Sequence, residues 1–190
     1  MARKRSSDLG PRREATATIA RPVGATPRVR EGHKDETGSD AWWRSLGSKR
    51  PVGSVHGIPP IVRVDLVRSG VPADVVTVIA AAMGIAKTKL YSTLGVSRAT
   101  VERKVRERKR LSPDDGERFL GIARLIGQVD QIVRESGDPE GFDAARWVAA
   151  WLDRPLPALG GRRPATLMDT ADGREIIAGL IAQIQSGAYA

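Results

Sequence analysis

Arg98, Ala99, Thr100, Arg103 and Lys104 follow Ser97 at the head of a basic segment. These side-chain types read and hold DNA. Arginine offers guanine two parallel donors, and a threonine or alanine methyl fits a thymine methyl. Arg103 suits the guanine contact, and Thr100 or Ala99 the thymine. Ser97, Lys87, Lys89, Arg106 and Lys109 suit phosphates, which add affinity without sequence information. Residues 87–110 hold nine basic and two acidic groups. A basic run alone would favour the solvated face of an ordinary three-helix core, so the framework around it decides.

That framework reads as helix, tight turn, helix. Leu90 and Leu94 stand four apart and share one helix face. Gly95 supplies a left-handed turn residue. Val96 plugs the space between helices, and Ser97 is a strong N-cap. Val101 and Val105 point the second helix inward. The pattern predicts a helix-turn-helix whose second helix enters the major groove.

Other chemistry fails for want of convergent groups. The chain has no Cys, which excludes disulfides and thiolate metal sites. His33 and His56 are its only histidines, and both lie in polar, Gly-rich surroundings. No P-loop is present, and Gly160-Gly161 lacks the spacing of a dinucleotide fingerprint. Asp169 and Asp172, three apart, suit a helix start better than acid–base catalysis. No enzyme is expected. No apolar run spans a membrane and no secretion signal opens the chain, so a cytoplasmic protein is the expectation.

The net charge of +9 is unevenly spread. Residues 1–60 carry 12 basic and 6 acidic groups; residues 111–190 carry 8 basic and 12 acidic. A basic block beside an acidic one suggests two surfaces with different partners. Residues 1–57 are rich in Arg, Gly, Ser, Pro and Thr without apolar period, which predicts a disordered extension. Trp42-Trp43 is its exception, either an edge docked on the folded part or a partner anchor.

Order is expected from Ile61. Ile61 to Val67 is ambiguous between helix and strand. Ala73 to Met83 reads as a buried helix ended by Gly84. Ser112-Pro113-Asp114-Asp115 opens a further helix, with Phe119, Ile122, Ile126, Val129 and Val133 as its stripe. Gly137-Asp138-Pro139 stops it. Phe142 to Leu152 forms a helix with Trp147 and Trp151 one turn apart. In the last helix, capped by Thr170, the expected stripe is Ile176, Leu180 and Ile184, widened by Ile177 and Ile181. So apolar a terminal helix needs its own core, a second copy or another protein.

Seven stretches stand in register. They are Gly70-Val71-Pro72-Ala73, Leu94 to Lys104, Leu111 to Arg118, Trp151-Leu152, Ala158 to Pro164, Leu167-Met168-Asp169-Thr170 and Gly187-Ala188-Tyr189-Ala190. Together, from about residue 61 onward, they resemble the Xre/ParS (MbcA-like) antitoxin family of RES–Xre toxin–antitoxin modules. The resemblance implies an all-α chain. Its parts would be an Xre-like helix-turn-helix domain (58–133) and a small helical toxin-binding domain (134–190), with the disordered basic extension (1–57) outside the family pattern. It also implies a RES-domain toxin partner that depletes NAD⁺, operator DNA at the chain's own promoter, a homodimer within a larger complex, and no cofactor. The toxin-binding positions it implies are Gly160, Gly161, Arg162, Arg163, Pro164, Ile184, Tyr189 and Ala190. The competing readings are a stand-alone transcriptional regulator and a protein-interaction module whose helix-turn-helix has lost DNA binding.

Overall fold

In the computed structural model, described for residues 36–185, every regular element is helical. The helices are α1 (Glu36–Ser45), α2 (Pro60–Ser69), α3 (Val75–Met83), α4 (Lys87–Leu94), α5 (Arg98–Arg106), α6 (Pro113–Ser136), α7 (Ala144–Leu152) and α8 (Ala171–Gln185). Short 3-10 turns lie at Val52–Val55, Pro157–Leu159 and Pro164–Leu167. Among the described residues no single helix is long and apolar enough to cross a membrane.

The longest helix, α6, organises the rest. Ser112 Oγ accepts from the Asp115 N–H at 3.3 Å, Pro113 occupies its first turn, and Asp114 and Asp115 face the positive helix end. Phe119, Ile122, Ile126 and Val129 are buried as their spacing requires. Burying each such side chain contributes about 1.5–3 kcal/mol before entropy is counted. Against α6 pack α2, α3, α7, α8 and the Val52–Val55 turn. One continuous core therefore joins residues on both sides of position 133, and α6 runs through that position to a left-handed Gly137.

Ile61 to Val67 is helical. Pro59-Pro60 opens α2, since proline fits a first helical turn. Only Leu66 of α2 is buried, and Ile61, Val62 and Val64 stay exposed. The helix read from Phe142 begins at Ala144, because Asp143 Oδ1 caps it by accepting from the Arg146 N–H at 3.0 Å. Trp147 and Trp151 stack with ring centroids 5.8 Å apart, Trp151 buried and Trp147 partly so.

The expected disorder up to residue 57 is overturned for its last third. Trp43, Leu46, Val52 and Val55 are buried in the core. For the Val52–Val55 turn the reason is a glycine pair. A Cβ on Gly127 of α6 would meet the Gly53 carbonyl oxygen at 2.0 Å, and one on Gly53 would meet Gly127 Cα at 2.7 Å. Without side chains, the two backbones touch and seat the turn directly on α6. Residues 1–35 lie outside the described residues.

Candidate nucleic-acid and toxin interfaces

The expected helix-turn-helix is present as α4, Gly95-Val96-Ser97 and α5. Gly95 is left-handed at φ 62°, Val96 is buried, and Leu90, Leu94 and Val101 are fully buried. Ser97 Oγ accepts from the Thr100 N–H at 3.4 Å, and its contact with Thr100 Oγ1 is 3.1 Å. Both hydroxyls are thus drawn into the cap. Tyr91 Oη donates to Glu102 Oε1 at 2.8 Å and clamps α4 to α5. Burial pushes the Tyr91 phenol up to about 12, with the Glu102 hydrogen bond adding to the shift.

Ser97, Arg98, Ala99 and Arg103 are exposed, while Thr100 and Lys104 are partly buried. Glu107 gathers two of the cations, lying 2.9 Å from Lys109 Nζ and 3.6 Å from Arg103. The Lys109 hydrogen bond, with Arg103 and Arg106 nearby, holds the Glu107 carboxyl below its usual range. Arg98, Lys104 and Arg106 form no ion pair among the described residues. Lys89 is engaged elsewhere, paired with Asp153 just past α7.

The second surface is the loop from Leu156 to Pro164. It closes on itself: the Leu156 N–H donates to Arg162 O at 3.0 Å and the Gly161 N–H to Leu156 O at 2.9 Å. Gly160 and Gly161 have φ of 63° and 79°, and a Cβ on either would meet nothing within 4 Å. Glycine is needed there for backbone conformation alone. Gly160, Gly161, Arg162 and Arg163 are exposed, but Pro164 is buried and opens the 3-10 turn to Leu167. Its ring belongs to the scaffold of the loop.

The stripe read along α8 is turned. Ile177 and Ile181 are buried, whereas Ile176 is 50% exposed and Leu180 partly exposed. Gly173 sets this facing. Its N–H donates to the capping Thr170 Oγ1 at 3.0 Å, and a Cβ there would meet the Leu167 carbonyl oxygen at 1.8 Å. Helix α8 therefore starts flush against the preceding turn. The Ile184 side chain, Tyr189 and Ala190 lie outside the described residues.

Sequence reasoning missed the joint between the two surfaces. Arg118 of α6 donates to Leu94 O at 3.0 Å and Gly95 O at 2.7 Å, at the C-terminal end of α4. A Cβ on Gly95 would meet Asp169 Cβ at 2.8 Å, so the turn before α8 abuts the helix-turn-helix corner. Partners 23 and 74 residues apart leave no local spacing to read.

The family model for the antitoxin Xre-like helix-turn-helix domain matches residues 62–124, and that for the antitoxin Xre/MbcA/ParS C-terminal toxin-binding domain matches residues 140–187. The chain belongs to the Xre/MbcA/ParS antitoxin family. Its relatives agree. A protein of Sphingobium sp. (strain YBL2) named Prs ADP-ribosylating antitoxin is 41% identical over 137 residues, covering 72% of this chain and 86% of the relative. Antitoxin Xre of Yersinia enterocolitica serotype O:8 / biotype 1B (strain NCTC 13174 / 8081) is 26% identical over 153 residues, covering 80% and 93%. In this Xre-family antitoxin the core residues Trp43, Leu46, Val52 and Val55 precede the first matched segment. The arginine loop, Asp169 and α8 fall in the second.

Proposed function

We propose that this antitoxin neutralises a RES-type, NAD⁺-consuming toxin and represses its own operon through the helix-turn-helix, without catalytic activity of its own. The observation that carries the reading is the toxin-binding match over residues 140–187. Arg162, Arg163 and Ile176 on that segment are exposed. The surface that covers the toxin's cleft is assigned to the Gly160–Pro164 loop, Ile184 and the last residues, Tyr189 and Ala190. ADP-ribosylation, which appears in the Sphingobium relative's name, also draws on NAD⁺. An acidic C-terminal block suits a cleft shaped for an anionic dinucleotide.

On DNA, Arg98, Ala99, Thr100, Arg103 and Lys104 read bases, with Arg103 released from Glu107 to do so, and Ser97 fixes the helix start. A homodimer matches paired half-sites. All of this takes place in the cytoplasm.

The test has two arms. In cells expressing a RES-domain toxin, the full chain restores growth and NAD⁺, and removal of residues 187–190 weakens that protection. On the chain's own promoter, a footprint seen with wild type is lost in the Arg98→Ala/Arg103→Ala double variant. Promoter binding without protection from any toxin would leave a stand-alone regulator.

A further inference from the structure

Four arginines converge on a groove between α2, α6 and α8 that neither proposed interface uses. Two adjoining hollows of about 340 and 440 Å³ share Glu117, Gly121, Arg124 and Arg174, and Arg63 and Arg68 line the larger one. Volumes of this size are those of small-molecule sites, roughly 300–1,000 Å³. Val67 and Leu120 form part of the wall of the larger hollow.

Two of the four guanidinia, those of Arg63 and Arg174, are held by backbone carbonyls. Arg63 donates to the carbonyl oxygens of His56 and Ile58, and Arg174 to Met168 O at 3.2 Å. Glu117 and Glu175 line the hollows, yet none of the four arginines forms an ion pair among the described residues. A guanidinium fixed by carbonyls keeps its full charge and free donors for an incoming anion. Burial, then Arg124, lowers the Arg63 pKa. Burial also leads the causes that lower the Arg174 pKa, with Arg118 and Arg124 adding to it and Glu117 and Asp169 opposing it. Four arginines against Glu117 and Glu175 leave the lining net positive, which suits an anion.

Gly121 is part of the construction. A Cβ there would meet Arg174 Cδ at 2.7 Å and Nε at 3.0 Å. Glycine in mid-helix costs about 0.5–1 kcal/mol relative to alanine. Here it lets Arg174 lie flat across α6 and reach the groove.

We propose that the groove between α2, α6 and α8 binds a phosphate-bearing small molecule of the nucleotide class, its phosphates on Arg63, Arg124 and Arg174 and its ring against Val67 and Leu120. Arginine's planar fork fits phosphate oxygens in pairs. A concave, part-apolar site with no α5 residue in its lining favours a small ligand over a duplex.

The test is titration calorimetry of the full-length protein with pyrophosphate and with ADP, at fixed ionic strength. Both bind, ADP more tightly. Arg124→Glu weakens each at least about tenfold, the scale of a lost charge-assisted hydrogen bond. Gly121→Ala displaces only the flexible end of Arg174, so it weakens binding while the melting temperature holds or rises. Arg154→Glu, an equal charge change outside the groove, leaves binding unaltered. No heat with either ligand, or equal losses in Arg154→Glu and Arg124→Glu, overturns the proposal. A short DNA duplex that displaces ADP and loses affinity in the same groove variants would also overturn it, in favour of nucleic acid.

Discussion

Arg118 donates to the carbonyl oxygen of Gly95 at 2.7 Å, across 23 residues of chain. The same guanidinium reaches Leu94 O at 3.0 Å. The last carbonyls of a helix have no intrahelical partner, and they carry its negative dipole end. A cation from α6 meets both needs and fixes the corner from which α5 departs. Arg118→Ala is expected to destabilise the chain by about 1–3 kcal/mol in urea unfolding. It is also expected to weaken promoter binding, although Arg118 stands outside α5. Unchanged stability and binding would leave the contact incidental.

Two glycines should answer alanine very differently. At Gly173 the new Cβ would sit 1.8 Å from a backbone oxygen, which cannot swing aside. Gly173→Ala should cost about 3 kcal/mol or more, the upper end of overpacking penalties. At Gly160 nothing lies within 4 Å, and only the left-handed backbone at φ 63° resists. That substitution should cost about 1–2 kcal/mol. Thermal melts of the two variants check the order.

The turned stripe of α8 separates packing from docking. Ile177 is fully buried, so Ile177→Ala should cost about 2–5 kcal/mol. Ile176 is half exposed, and Ile176→Ala should stay within about 0.5 kcal/mol. If α8 meets a toxin, Ile176→Asp lowers its affinity in a pull-down or titration while the fold is kept. A stability loss at Ile176 matching that at Ile177 would contradict this facing.

Trp43 tests whether the segment before the matched region belongs to the fold. Its ring is buried in the same core as Leu46, Val52 and Val55. Trp43→Ala should cost about 3–5 kcal/mol. A truncation beginning at residue 58 should melt lower than one beginning at residue 36, by circular dichroism.

His56 gives the chain a mild acid sensitivity. Burial lowers its pKa below 6.5, as do Arg124 and Arg63, against opposing effects of Gln131 and Glu135. The folded state thus holds the ring neutral where the unfolded chain protonates it. The resulting stability is intact above about pH 6.5 and declines as pH falls through that value toward the lowered one. His56→Gln should flatten this part of the stability–pH curve. An undiminished slope would place the titration elsewhere.

The local rules were legible in the residue order. Ser97, Ser112 and Thr170 cap their helices as their types demand, and Gly84, Gly95 and Gly137 end theirs left-handed. The basic run on α5 and the glycine loop at Gly160 also stood out, because caps, turns and charge act over a few residues. Four things did not. Residues 36–57 read as polar and unperiodic, yet two glycines let their Val52–Val55 turn seat on α6. Pro164 read as a surface residue, but the path of the chain buries it. The five isoleucine and leucine positions of α8 could be satisfied by two rotations, and only packing on α6 chose Ile177 and Ile181. The arginine groove drew on α2, α6 and α8 at once. From about residue 70 onward, sequence alone therefore determined which helices form and close to where they stop, since those energies are local. Tertiary structure decided which face of each is covered and which charges converge, since those depend on contacts between residues tens of positions apart.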